Sequence, residues 1–200
     1  MGNDNNKIKS KDVFEINKRW KMFRDHQLGR GAFGEVYKGQ DNKSGEIVAV
    51  KRMWIDPNLA IISPGLAEMF NQDRITKEVQ LMLNMKGFEH DNIVKFYDFV
   101  FQKPTVYLIL ELCDEDLKKY IAKKGGRLSE SDALHIGRQI VEGLRALHTM
   151  GISHRDLKFD NILIKNGVCK ISDLGMGIDK EKHISTVGAV FLRPPEAIKK

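Results

Sequence analysis

The sequence predicts an α+β protein in which strands come first and a long helix follows. Three observations carry this expectation. Residues 35–51 read as strand, turn, strand: Glu35-Val36-Tyr37-Lys38-Gly39, the turn cluster Asp41-Asn42-Lys43-Ser44-Gly45, then Glu46-Ile47-Val48-Ala49-Val50-Lys51. β-Branched residues fill the runs and turn formers separate them. Two further apolar runs, 95–101 and 105–110, read as a second pair of strands. Beyond them Ser129-Glu130-Ser131-Asp132 carries a capping-box signal. Ile136, Ile140, Leu144 and Leu147 then recur at helical spacing, and Gly151 is placed to end the helix. A second amphipathic helix is expected over 71–85, where Ile75, Val79, Met82 and Leu83 share a face.

Bulk properties narrow the class. Two hundred residues, 42% of them hydrophobic, suit one or two small domains with a real core. The formal charge of +6 is spread along the chain, which reads as solvated surface, and no nucleic-acid partner is expected. Cys113 and Cys169 form no spacing motif, so a disulfide framework and a zinc site are both disfavoured and a reducing compartment fits. No apolar run approaches the roughly 20 residues that span a bilayer, and the polar first dozen residues form no secretory leader. Gly2 follows Met1, but Asn6 stands where a myristoylation signal needs Ser or Thr. An intracellular protein, nuclear or cytoplasmic, is expected. Residues 1–22 read as a flexible polar tail and 23–200 as the folded domain.

The chemistry concentrates between His154 and Gly175. His154-Arg155-Asp156-Leu157-Lys158 is followed by Asn161 and then by Asp173-Leu174-Gly175. Asp156 and Lys158 are two apart, so on extended backbone they project to one side. There Lys158 can neutralise phosphate charge while Asp156 orients a hydroxyl. Asn161 and Asp173 supply the hard oxygen ligands that Mg²⁺ prefers. Upstream, Gly29-Arg30-Gly31-Ala32-Phe33-Gly34 is a G-x-G-x-x-G, a weak signal by itself. A dinucleotide-binding loop would open a helix, whereas this one opens a strand, turn and strand. Glycine there lets backbone amides approach phosphates without a Cβ in the way. Lys51 ends an apolar strand, where an ammonium is expensive without a partner. Glu78, beside the apolar stripe of the 71–85 helix, is the expected carboxylate.

Taken together and in this order, these motifs resemble the glycine-rich loop, catalytic loop and metal-binding loop of Ser/Thr protein kinases. Arg193-Pro194-Pro195-Glu196 and the stretch Asp114–Tyr120 are similar to the cyclin-dependent kinase branch. The resemblance covers residues 23–200. It implies a bilobal fold, with a small antiparallel-sheet N-lobe (23–110) and a mainly helical C-lobe (111–200) that is incomplete. The activity implied is transfer of the γ-phosphoryl group of ATP, with Mg²⁺, to Ser or Thr of a protein substrate. Asp156 and Lys158 would be catalytic, and Asn161 and Asp173 would hold the metal. Leu28, Gly29, Arg30, Gly31, Ala32, Phe33, Gly34, Glu35 and Val36 would cover the nucleotide. Val36 and Ala49 would lie on the adenine ring, with Leu163 also in the ATP site. Lys51, held by Glu78, would bind the α- and β-phosphates. Glu111 and Cys113 would meet adenine through their backbone, Leu110 would guard the rear pocket, and Asp116 would approach the ribose.

The same resemblance implies a cyclin-like or other regulatory subunit. The segment between Lys51 and Glu78 nevertheless holds turn signals, Asp56-Pro57-Asn58 and Ser63-Pro64-Gly65, rather than a convincing cyclin-binding motif. Ser185 and Thr186 fall where activation-segment phosphosites lie in the family, and a phosphate there could pair with Arg155. Departures from the pattern are Phe159 in place of proline, Leu174 in place of phenylalanine and Ala189 in place of threonine. Glu196 pairs in the family with an arginine further on. A competing reading is an impaired kinase fragment or pseudokinase that acts as an ATP-binding interaction module. The full set of residues for ATP, metal and hydroxyl favours the enzyme.

Overall fold

The structure, a computed structural model, describes residues 8–31, 34–54, 85–102, 104–174 and 178–179. They fall in two units, Met1–Val79 with Phe96–Leu112, and Gln80–Lys95 with Cys113–Lys200. The expected helix over 71–85 lies outside the described residues, apart from Met85.

The first unit is a six-stranded sheet: β1 (Val13–Glu15), β2 (Trp20–Gly31), β3 (Gly34–Asp41), β4 (Ile47–Trp54), β5 (Phe96–Gln102) and β6 (Thr105–Glu111). Its order is β1-β2-β3-β4-β6-β5, with every neighbouring pair antiparallel. Both strand pairs expected from the sequence are present. Side chains alternate between faces along each strand, and one face gathers Trp20, Met22, Tyr37, Val48, Val50, Tyr107 and Ile109 into a buried cluster.

The expected tail is corrected by this cluster. Ile16, Trp20 and Met22 are fully or almost fully buried, and β1 pairs with β2 through Val13, Phe14 and Glu15. The turn between the two strands is closed by Asn17, whose Oδ1 accepts from the amides of Arg19 and Trp20, both at 2.8 Å. Such side-chain turns suit asparagine. The indole Nε1 of Trp20 donates to Asp98 on β5 at 3.0 Å. The apolar residues of this segment stand singly among charges, so local composition hides a strand whose partners are distant in sequence.

Asp41 closes the same corner. Its Oδ2 accepts from Arg19 Nε at 3.1 Å and from the terminal guanidinium nitrogen at 3.0 Å, while Oδ1 takes the Lys43 amide at 2.8 Å. Burial opposes the charge on Asp41, but Arg19 and the Lys43 and Ser44 amides outweigh it and hold the carboxyl below its ordinary range. Its stabilising effect is therefore full above the unfolded carboxylate value of about 3.9 and is lost as pH falls through the lower folded value. Thermal melting between about pH 5 and 2 is expected to show this loss in the wild type. In Asp41→Asn the same contribution should be missing at every pH.

In the second unit, Met85–Lys95 belongs with the residues that follow Cys113, which revises the expected N-lobe boundary of 23–110. The Val94 amide donates to Ile171 O and the Ile171 amide to Asn92 O, both at 2.9 Å. Asn92 Nδ2 also donates to Cys169 O at 3.0 Å. The unit continues with β7 (Glu115–Asp116), α1 (Leu117–Lys123), α2 (Glu130–Thr149), β8 (Ile152–Ser153), a 3₁₀ turn (Phe159–Asn161), β9 (Ile162–Lys165), β10 (Val168–Ile171) and β11 (Ile178–Asp179). Ser129 caps α2 as the sequence predicts, its Oγ accepting from the Asp132 amide at 3.0 Å. Of the expected stripe, Ile136 and Leu147 are buried while Ile140 and Leu144 are half-buried. Gly143 lets α2 pass close to Asn92, because a Cβ there would lie 2.6 Å from the Asn92 carbonyl oxygen. β9 and β10 are joined by Asn166 and Gly167, both at positive φ, the pair that a two-residue hairpin of right-handed twist requires. Among the described residues no helix is long and apolar enough to cross a membrane.

Candidate active site

In the first unit the register aligns the expected phosphate-binding groups. Gly29 stands opposite Val36, Val36 opposite Lys51, and Lys51 opposite Leu108, forming one row across β2, β3, β4 and β6. Residues directly opposite share a face, so Val36, Ala49 and Lys51 lie together as the sequence predicts. Leu110 stands opposite Ala49 in the row two residues along. Lys51 is only 8% exposed.

The three glycines of the loop differ in what they need. A Cβ on Gly34 would come within 2.1 Å of the Arg52 carbonyl oxygen, and its φ is +141°. This glycine is demanded by the fold itself. Gly29 and Gly31 would meet nothing within 4 Å, so no described neighbour in the chain requires glycine there. A ligand brought against the backbone would require it. Leu28, Gly29, Arg30 and Gly31 are exposed. The side chains of Arg30 and Glu35 stand in the adjacent row and turn to the opposite face, so they can offer a nucleotide only their backbone. Ala32, Phe33 and Glu78 lie outside the described residues.

In the second unit the loop from His154 to Asn161 is built around buried hydrogen bonds. Asp156 is 7% exposed, and its Oδ2 accepts from Lys158 Nζ at 2.6 Å and from Asn161 Nδ2 at 3.1 Å. The same Asn161 nitrogen donates to the Asp156 carbonyl at 2.8 Å. Its amide is thereby oriented, and the Oδ1 oxygen is turned away from Asp156. Asn161 O in turn accepts from the amide and the hydroxyl of Ser172, at 2.9 and 3.0 Å. These bonds bring the segment bearing Asp173 to the loop of Asp156 and Asn161.

His154 completes the frame. Its Nδ1 accepts from the Asp156 amide at 3.2 Å, so the ring proton sits on Nε2, 2.8 Å from Ser172 O. Burial dominates its titration and lowers its pKa, against the opposing pull of the Ser172 carbonyl and the Asp173 and Asp156 carboxylates. The imidazole is a neutral strut. Arg155 and Asp173, next to its two anchor points, hold left-handed φ of 63° and 58°, a strain of roughly 1–3 kcal/mol each. The sequence reading missed Ser172, which bears no motif letter and is recognisable only through its three bonds.

The approach to this loop is equally ordered. Asp116 stands opposite Leu163, and Glu115 opposite Ile164, in the β7–β9 pair. Asp116 also caps α1, accepting from the Lys119 amide at 2.8 Å, with Lys119 Nζ at 3.0 Å. Burial raises its pKa, but these Lys119 contacts outweigh that and leave it lowered. Asp114 ties the same stretch to the β9–β10 turn by accepting from the Asn166 amide at 2.8 Å. Glu111 ends β6 opposite Val48, and Cys113 is half-buried. Phe159 is 58% exposed and Leu174 is buried, so of the three departures from the family pattern the first is a surface change, the second is a core residue, and Ala189 lies outside the described residues. Ser185, Thr186 and Glu196 lie outside the described residues.

Among the described residues, no cluster of three or more His, Cys, Asp or Glu could cage a metal. Asn161 and Asp173 are two hard oxygen donors, and Mg²⁺ characteristically takes one or two carboxylate-type ligands and completes its shell with phosphate and water. The donor set therefore fits Mg²⁺ carried on a nucleotide.

The protein kinase domain family matches residues 23–200. The chain is 34% identical over 174 residues to cell division control protein 7 of Schizosaccharomyces pombe, which covers 86% of this chain. It is 35% identical over 199 residues to the cytokinesis protein sepH of Emericella nidulans, covering 96%. It is 33% identical over 186 residues to the mitogen-activated protein kinase kinase kinase bck1 of Aspergillus fumigatus, covering 90%. The chain spans 15%, 13% and 11% of the lengths of these three proteins.

Proposed function

This chain belongs to the protein kinase domain family, and from that premise we propose that it transfers the γ-phosphoryl group of ATP to a Ser or Thr hydroxyl of a protein substrate. The observation that carries the reading is the bonded set of Asp156, Lys158 and Asn161. Glycine-loop amides and Lys51 bind the phosphates. Mg²⁺, held by Asn161 and Asp173, would offset charge on the nucleotide. The substrate oxygen attacks the γ-phosphorus, the bond to the β–γ bridging oxygen breaks, and ADP leaves. Asp156 orients the hydroxyl and accepts its proton, while Lys158 offsets charge on the transferring group. Catalysis of this kind rests mainly on positioning and electrostatics.

The preference for Ser and Thr over Tyr rests on the resemblance of the catalytic loop around Lys158. The cyclin-dependent branch, with a cyclin-like or other regulatory subunit, is supported by the 193–196 motif. Ser185 and Thr186 are the proposed phosphosites, and an intracellular setting, nuclear or cytoplasmic, accompanies the kinase reading.

Titrating ATP against the wild type and Asp173→Asn, with and without Mg²⁺, tests the assignment. The wild type should gain affinity with Mg²⁺ and the variant should lose most of that gain. Equal affinity in all four titrations refutes the metal site, and no binding by the wild type refutes the kinase reading.

A further inference from the structure

Next to the phosphate-facing row of the first unit runs another. Arg30, Glu35, Arg52 and Tyr107 stand opposite one another on β2, β3, β4 and β6. Because side chains alternate, this row faces away from Lys51. Glu35 has a side chain only 12% exposed, and its Oε1 lies 3.8 Å from Arg30 Nε. Its Oε2 accepts from Tyr37 Oη at 2.8 Å. Across the next strand gap Arg52 lays its guanidinium over Trp54, 4.3 Å from the ring centroid. Beside Glu35, the Gly34 backbone presses on the Arg52 carbonyl so closely that a Cβ would come within 2.1 Å.

We propose that Glu35 is a positioning residue that clasps the glycine-rich hairpin to the strand bearing Lys51. The proposal rests on the kinase reading of that hairpin. Gly29 and Gly31 carry no side chain to hold the hairpin, so among the described residues the side chains of Arg30 and of those that follow Gly34 are left to restrain it. Glu35 reaches β2 through Arg30, and the Tyr37 hydroxyl that it accepts from also meets the side chain of Arg52 on β4. Arg52 is the immediate neighbour of Lys51, so the clasp ties the phosphate-cradling amides to the phosphate-binding ammonium.

A part-exposed ion pair adds little to global stability, yet a shift of about 1 Å in positioned groups can cost up to roughly 100-fold. The clasp should therefore be visible in nucleotide handling and not in melting. Glu35→Gln keeps the shape and an acceptor for Tyr37 while removing the charge. It is expected to raise the KM for ATP, and the Kd for Mg-ATP by calorimetry, about three- to tenfold. Its kcat should stay within about twofold and its melting temperature unchanged. Arg30→Ala should reproduce part of the KM effect. If Glu35→Gln and Glu35→Ala both keep wild-type KM and Kd, the clasp is refuted while the kinase reading stands. If a raised KM comes together with a lowered kcat and a lowered melting temperature, Glu35 is merely structural and the proposal is overturned. If the wild type binds no Mg-ATP, the kinase reading fails and the clasp with it.

Discussion

Asp156→Asn should lower the phosphoryl-transfer rate by about 10²–10⁴-fold, the range that a positioned general base contributes, and leave Mg-ATP affinity within a few-fold. The substitution keeps the shape of a side chain that is almost wholly buried and keeps an oxygen for Lys158 and Asn161, now at 2.6 and 3.1 Å from Asp156 Oδ2. It removes the negative charge and the basic oxygen that the proposed mechanism uses to orient the substrate hydroxyl. It also leaves Lys158 without its counter-charge. Steady-state transfer to a Ser/Thr peptide, measured beside calorimetric Mg-ATP binding, separates the two effects. A variant retaining more than about a tenth of wild-type turnover would remove Asp156 from the role given to it. Binding lost in parallel with turnover would point to a collapsed loop and not to a missing base.

Trp20→Ala is expected to destabilise the first unit by about 3–5 kcal/mol, the range for truncating a buried aromatic. That is a large part of the 5–15 kcal/mol that holds a typical domain. Trp20 is 1% exposed within the buried cluster on one face of the sheet. The change opens a cavity beside Tyr97, whose ring lies 6.4 Å away, and removes the indole donor from Asp98 Oδ2. Arg19, stacked 4.4 Å over the indole, also loses its platform. Urea unfolding should show a midpoint shifted far to lower denaturant. A change under about 1 kcal/mol would mean that the segment before residue 23 is an appendage after all.

The sequence by itself determined the family motifs and the local elements that carry them. Asp156, Lys158 and Asn161 lie within six residues, so a short turn brings them together, and Ser129 or the 41–45 turn acts on amides two to four residues away. Such features need no distant partner. Tertiary structure alone decided what depended on distant partners. Ile16 and Trp20 are core because residues 98 and 107 from the far side of the sheet cover them. Residues 85–95 join the second unit because their backbone groups pair with Ile171, some 80 residues on. Gly29 and Val36 face one way while Arg30 and Glu35 face the other because of register, which shifts twice along β2, between Met22 and Gly29. A one-residue slip turns every side chain to the opposite face, and no spacing rule within the G-x-G-x-x-G run contains that information.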